Sequence, residues 1–132
     1  VLDWGTDVIF VAFGTLLDSC LKAADELRNE GLSVGVINAR FCKPLDREVI
    51  LRALGDASVV VTVEEGTLEG GFGSAVLECA NAAGVNATHV VRCGLPDRFV
   101  EHGERHELFA ELGLDVPGLA RAAREKLAEV VA

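Results

Sequence analysis

Asp7-Val8-Ile9-Phe10-Val11-Ala12-Phe13-Gly14 is an apolar run with β-branched members, closed by a glycine. A strand with one wet face alternates apolar and polar residues; an unbroken run is what a strand buried on both faces requires. Thr15 follows where it can cap a helix, with Asp18 three positions on in a loose capping box. Leu16, Leu17, Cys20, Leu21, Ala24 and Leu27 form that helix's apolar stripe, and Gly31 ends it.

The same grammar repeats downstream. Val34 to Ala39 reads as a second strand and Arg40 to Pro44 as a loop. Asp46 then caps a short helix, Leu45 and Ile50 are placed to form a hydrophobic staple, and Gly55 closes the helix. Ser58 to Val63 is a third strand, leading through Glu64-Glu65-Gly66 and a glycine-rich loop into a helix from about Gly73 to Ala83, ended by Gly84. A fourth strand, Thr88 to Cys93, stops at Gly94 and gives way to a loop. Helices follow from about Glu104 to Leu112 and from near Asp115, the latter with Pro117 in its first turn, where a missing N–H costs nothing. Leu119, Ala123, Leu127 and Val130 give the last helix its apolar face. Strand–helix alternation with short connections implies right-handed crossovers and a mainly parallel sheet with helices on both faces. The expected fold is α/β, a single domain over residues 1–132, with Val1 to Trp4 as a further short edge strand.

Composition agrees with that architecture. Half of the 132 residues are hydrophobic, but there are six Phe, one Trp and no Tyr, so the apolar mass is Val, Leu and Ala. The net charge of −9, with twelve scattered Lys and Arg, disfavours nucleic acid and anionic membranes as partners. The longest apolar run is far short of a membrane span, and no signal-peptide pattern precedes it, so a cytoplasmic protein is expected. Cys20, Cys42, Cys79 and Cys93 have no CxxC pair and no His at ligand spacing, which suits small buried thiols in a reducing compartment. The absence of Met and the opening at Val1 suggest a piece of a longer polypeptide.

Open parallel sheets bind ligands at the carboxyl ends of their strands. Those ends carry Gly14-Thr15, Arg40-Phe41, Glu64-Glu65-Gly66 and Gly94-Leu95-Pro96, so the unusual residues converge on one rim. The Arg40 guanidinium could take a phosphate or carboxylate bidentately, although a structural ion pair is the commoner use of such a residue. Glu64 or Glu65 could act as an acid or base, or hold a loop by accepting backbone N–H bonds, and no neighbouring His or Lys favours catalysis. Gly70-Gly71-Phe72-Gly73-Ser74 opens a helix and could cradle an anion, yet fits neither GxGxxG nor a P-loop; close helix packing explains its glycines equally well. His102 and His106 lack a third ligand, and His102 reads as a loop-fixing hydrogen-bond partner. No Ser sits in a nucleophile elbow.

Three segments, in the same order and spacing, resemble the C-terminal, transketolase-type domain of 1-deoxy-D-xylulose-5-phosphate synthases. They are Arg40-Phe41-Cys42-Lys43-Pro44-Leu45-Asp46, Val63-Glu64-Glu65-Gly66 with Gly70-Gly71-Phe72-Gly73-Ser74, and Gly94-Leu95-Pro96-Asp97-Arg98-Phe99-Val100-Glu101-His102-Gly103. Glu111 to Asp115 looks like the closing signature of that family. The first two motifs are shared with transketolases and 2-oxoacid dehydrogenase β subunits; the third singles out the synthase.

The resemblance implies a three-layer α/β/α sandwich with a five-stranded, mainly parallel sheet whose first strand, around Val1 to Trp4, runs antiparallel. It implies a homodimeric enzyme that condenses pyruvate with glyceraldehyde 3-phosphate, losing carbon dioxide, on thiamine diphosphate and magnesium. The product feeds isoprenoid, thiamine and pyridoxal synthesis. Arg40 takes the family role of holding the acceptor phosphate; no residue here is carried over as catalytic, cofactor-binding or metal-binding. The family's Gly-Asp-Gly…Asn motif, the activating glutamate and the substrate-handling histidines are absent from these residues. The chain by itself is therefore expected to be inactive and to bind no cofactor, its partners being the missing N-terminal and pyrimidine-binding domains. A transketolase or dehydrogenase domain, or a non-enzymatic interaction module, is the alternative.

Overall fold

A computed structural model describes residues 4–12, 17–38, 47–67, 72–95 and 115–131. The elements are β1 (Val8–Ala12), α1 (Leu17–Asn29), β2 (Val34–Asn38), α2 (Arg47–Asp56), β3 (Val59–Thr67), α3 (Phe72–Ala83), β4 (Val90–Leu95) and α4 (Val116–Val131). The described strands form one sheet in the order β2-β1-β3-β4, and every pairing is parallel.

All five residues of β1 are fully buried. Alternate side chains divide between two cores. Val8, Phe10 and Ala12 join Val34, Val36, Val59, Val61 and Val63 beneath α1 and α4, where Cys20, Ala24, Leu27, Leu119 and Ala123 close over them. Ile9 and Val11 face the opposite way with Ile37 and Val60, against Ile50 and Ala53 of α2 and Val76 and Ala80 of α3. Helices thus cover both sides of the sheet, which is why the β1 sequence contains no polar residue.

Two helix ends follow the sequence reading closely. Gly31 has φ 92° and Gly84 has φ 70°. At the first, Leu32 N–H donates to the Leu27 carbonyl and Gly31 N–H to that of Arg28, at 3.2 and 2.9 Å; at the second, Val85 and Gly84 donate to Ala80 and Asn81 at 2.9 and 3.2 Å. Both are Schellman closures, which need the left-handed residue that glycine supplies. Asp115 caps α4, its Oδ1 accepting from Gly118 N–H at 3.0 Å.

Other expectations shift. Gly55 does not close α2; its φ is not positive, and the helix runs on to Asp56, with Ala57 N–H still donating to Ala53 at 3.0 Å. Glu64-Glu65-Gly66 is not a loop but part of β3, and Gly94 continues β4 rather than ending it. Val130 lies off the buried face of α4, 43 % exposed, while Leu127 is partly buried against the core. The sheet has four strands among the described residues. Trp4 is not in a strand, and the rest of the expected antiparallel strand lies outside the described residues. The same is true of Thr15, Leu16, Leu45, Asp46 and the helix expected near Glu104.

Candidate functional site at the carboxyl rim

Register fixes the rim. Ala12 is the Cα partner of both Asn38 and Val63, and Val63 is the partner of Cys93, so these four residues form one row across the sheet. The chain moves from β1 outward to β2 and then crosses back past β1 to β3. The direction of winding therefore reverses between β1 and β3, and ligands of open parallel sheets bind outside the carboxyl ends at such a switch point.

The segments singled out by sequence meet this row in different ways. Arg40 comes two residues after Asn38, the last residue of β2, and lies outside the described residues together with Phe41 to Asp46. Gly14-Thr15, Gly70-Gly71, Pro96 to Gly103 and His106 also lie outside them. Glu64 and Glu65 directly follow the row on β3. There the pairing slips: Val63 matches Cys93, but the next match is Thr67 with Leu95. Four steps along β3 correspond to two along β4, a bulge-type irregularity of the kind that re-aims a strand next to a site, and Gly66 sits inside it. Phe72-Gly73-Ser74 forms the first turn of α3.

Sequence reasoning missed two polar residues one step below the row. Thr62 is buried and is the Cα partner of half-buried Arg92 on β4. A Thr within Val59–Val63 and an Arg within an apolar strand were the available signals.

Cys20, Cys79 and Cys93 are free thiols. Burial, and secondarily the neighbouring Cys93, pushes Cys20 up to about 12; burial pushes Cys93 up to about 11. Cys20 and Cys79 are buried and Cys93 partly so, as expected of small packing thiols. Cys42 lies outside the described residues. Among the described residues, no three His, Cys, Asp or Glu side chains converge as a metal site, and no helix is long and apolar enough to cross a membrane.

A cleft of about 580 Å³ opens at the opposite, amino edge of the sheet, lined in part by Leu54, Ser58, Asn86, His89, Lys126 and Val130. Several of its polar side chains already have partners. His89 Nε2 meets the Leu54 carbonyl at 2.8 Å, Asn86 Oδ1 accepts from Thr88 N–H at 3.0 Å, and Lys126 pairs with Glu129 at 3.2 Å. None of the sequence segments singled out for function lines this cleft.

Comparison with known proteins gives a consistent picture. The family described as transketolase, C-terminal domain, matches residues 1–119. A 1-deoxy-D-xylulose-5-phosphate synthase 2 of Geobacter sulfurreducens is 50 % identical over 120 residues, covering 91 % of this chain and 19 % of that protein. A 1-deoxy-D-xylulose-5-phosphate synthase of Bacillus velezensis is 47 % identical over 114 residues, covering 86 % of this chain and 18 % of that protein. The chain thus spans about a fifth of the length of these relatives. A solved split-gene transketolase, described as an inactive β4 tetramer, superposes with TM-score 0.86 at 34 % identity, over 97 % of this chain and 41 % of that one. Transketolase from Pichia stipitis shares the fold at TM-score 0.68 and 22 % identity, over 94 % of this chain and 17 % of that one.

Proposed function

The chain belongs to the transketolase C-terminal domain family, and from that premise we propose that it is the C-terminal domain of a 1-deoxy-D-xylulose-5-phosphate synthase. The observation that carries this reading is the Gly94-to-Gly103 segment, set in a chain about half identical to proteins bearing that name. The parent enzyme would condense pyruvate with glyceraldehyde 3-phosphate, with loss of carbon dioxide, as a cytoplasmic homodimer.

Thiamine diphosphate with magnesium would supply the decarboxylation and carbon–carbon bond-forming chemistry in the parent. The family's Gly-Asp-Gly…Asn motif, which grips the diphosphate and metal, is absent from this sequence. The cofactor grip is assigned to the domains this chain lacks, and the chain alone is expected to be inactive. The inactive assembly of the similar split-gene transketolase supports that expectation.

What this chain contributes is acceptor binding. Arg40 comes two residues after Asn38, the last residue of β2, and its role is proposed from the motif Arg40-Phe41-Cys42-Lys43-Pro44-Leu45-Asp46. A planar guanidinium there can take two phosphate oxygens at once and orient the triose for attack, leaving its aldehyde free. In the parent enzyme, Arg40→Ala should lower kcat/KM for glyceraldehyde 3-phosphate roughly 10- to 100-fold, the value of a charge-assisted hydrogen bond or two. KM for pyruvate should move little. Equal changes for both substrates would defeat the phosphate role, and a parent that turns over only ketose phosphates or lipoyl acceptors would defeat the synthase assignment.

A further inference from the structure

We propose that residues Trp4 to Asp7 form a rigid strap that fixes the direction in which the polypeptide enters this domain. Each of these four consecutive residues is tied to the amino edge, at α2, at the start of β2 or at the entrance to β3. The Trp4 indole donates from Nε1 to Asp56 Oδ2 at 3.0 Å, and the Arg52 guanidinium lies 4.4 Å from the centre of the same ring. Arg52 in turn pairs with Asp56 at 3.4 Å, so α2 grips the indole by edge and by face. Gly5 presses backbone to backbone on β2: a β-carbon on Gly5 would fall 2.5 Å from the Val34 carbonyl carbon, and one on Gly35 would fall 2.7 Å from Gly5 N. Thr6 N–H donates to Ser33 Oγ at 3.1 Å, and the Thr6 carbonyl accepts from Ser58 N–H at 3.0 Å. Asp7 and Ser33 exchange two bonds, Asp7 N–H to the Ser33 carbonyl at 2.9 Å and Ser33 N–H to Asp7 Oδ2 at 2.7 Å.

A flexible interdomain linker makes few contacts with the domain it joins. This segment instead binds α2 and the entrances to β2 and β3 together. Trp4 is therefore held on the α2 side at the amino edge, opposite the carboxyl ends of the strands. The strap holds a connected domain in a set orientation and leaves the carboxyl rim clear. This role in a longer chain rests on the family reading above; the rigidity of the strap does not.

Trp4 is the single tryptophan of the chain, so its fluorescence reports on the strap alone. In the 132-residue chain, acrylamide should quench Trp4 several-fold less efficiently than it quenches N-acetyltryptophanamide. The double variant Arg52→Ala/Asp56→Ala should raise quenching at least twofold, with unchanged far-UV circular dichroism. Gly35→Ala should do the same if it folds; the double variant changes only surface residues and decides the matter otherwise. Quenching of the unmodified chain at the rate of the free amide, or no rise in the double variant, overturns the proposal. Neither result bears on the synthase assay, so the two readings fail separately.

Discussion

Gly5 and Gly35 touch backbone to backbone, and neither position has room for a β-carbon. Both glycines have ordinary backbone angles, since Gly31 and Gly84 are the only glycines with positive φ among the described residues. Glycine is required here for space rather than for conformation. Gly35→Ala must push apart two backbones, one held by sheet pairing and the other by the bonds of Thr6 and Asp7 to Ser33, and should lower unfolding free energy by about 1–3 kcal/mol, the usual range for overpacking. Gly55 is the control. It sits inside α2, and a β-carbon there meets nothing within 4 Å. Gly55→Ala should therefore stabilise by roughly 0.5–1 kcal/mol through helix propensity and a less flexible unfolded chain. Urea denaturation of the two variants checks the opposite signs; a neutral Gly35→Ala would mean that the strap yields easily.

Asp115 anchors the start of α4, which with α1 covers one of the two cores. Its Oδ1 satisfies the Gly118 N–H at 3.0 Å, while its carbonyl accepts from Leu119 N–H at 2.9 Å. Removing the side-chain acceptor leaves a helix donor unpaired. Asp115→Ala should cost about 1 kcal/mol, and Asp115→Asn, which keeps the acceptor, a few tenths. Equal losses in both variants, measured by thermal or urea unfolding, would point to charge rather than capping as the stabilising element.

A pH-dependent tie joins α4 to the end of α1. Arg124 Nε lies 2.8 Å from Glu30 Oε1, and a second contact reaches Glu26 at 3.7 Å. The hydrogen bond from Arg124 holds the Glu30 carboxyl below its usual value. A depressed carboxylate contributes stability above its unfolded pKa and loses it as pH falls through the lower folded value. The stability difference between the parent chain and Glu30→Gln should accordingly be present at neutral pH and shrink as the solution is acidified through and below the ordinary glutamate range. Because the pair is well exposed, added salt should shrink it too. A difference that persists unchanged at pH 2–3 would assign the effect to something other than ionisation.

How far the sequence could be read depends on which force decides each feature. Val8 to Ala12 was legible because burial on both faces excludes polar side chains, and burial is a local property of the residues. Gly31 and Gly84 were legible because a left-handed helix terminus singles out glycine. Gly55 was misread for the same reason: a glycine in a helix resembles a terminator unless the following hydrogen bond is seen. The extension of β3 through Glu64 and of β4 through Gly94 depends on pairing between strands far apart in sequence, which no local pattern encodes. The Gly5–Gly35 contact is likewise a property of two distant backbones. At the rim, the row Ala12, Asn38, Val63 and Cys93 aligns the four strand ends, as strand polarity predicts, while Gly14-Thr15, Arg40-Phe41 and Pro96 beyond those ends lie outside the described residues. The role of Arg40 came from motif resemblance alone.

Cys20 and Cys93 test whether the core beneath α1 is as dry as its packing indicates. Both belong to the cluster that holds Phe10, Leu27 and Leu119, Cys20 fully buried and Cys93 partly so. Loss of hydration opposes the thiolate, which raises Cys20 to about 12 and Cys93 to about 11. At pH 8 the folded chain should leave both thiols unmodified by iodoacetamide, whereas the urea-unfolded chain should alkylate them readily; peptide mass spectrometry distinguishes the sites. Linkage sets the sign of the pH effect. Above the ordinary thiol range of roughly 8.5, the unfolded chain releases protons that the folded chain retains, so stability must fall as pH rises. A Cys20→Ala/Cys93→Ala variant should start less stable at pH 7, since it loses buried volume, and then decline less steeply between pH 8 and 10. Rapid alkylation of either thiol in the folded state, or parallel pH profiles for the two proteins, would show that water reaches this face of the sheet.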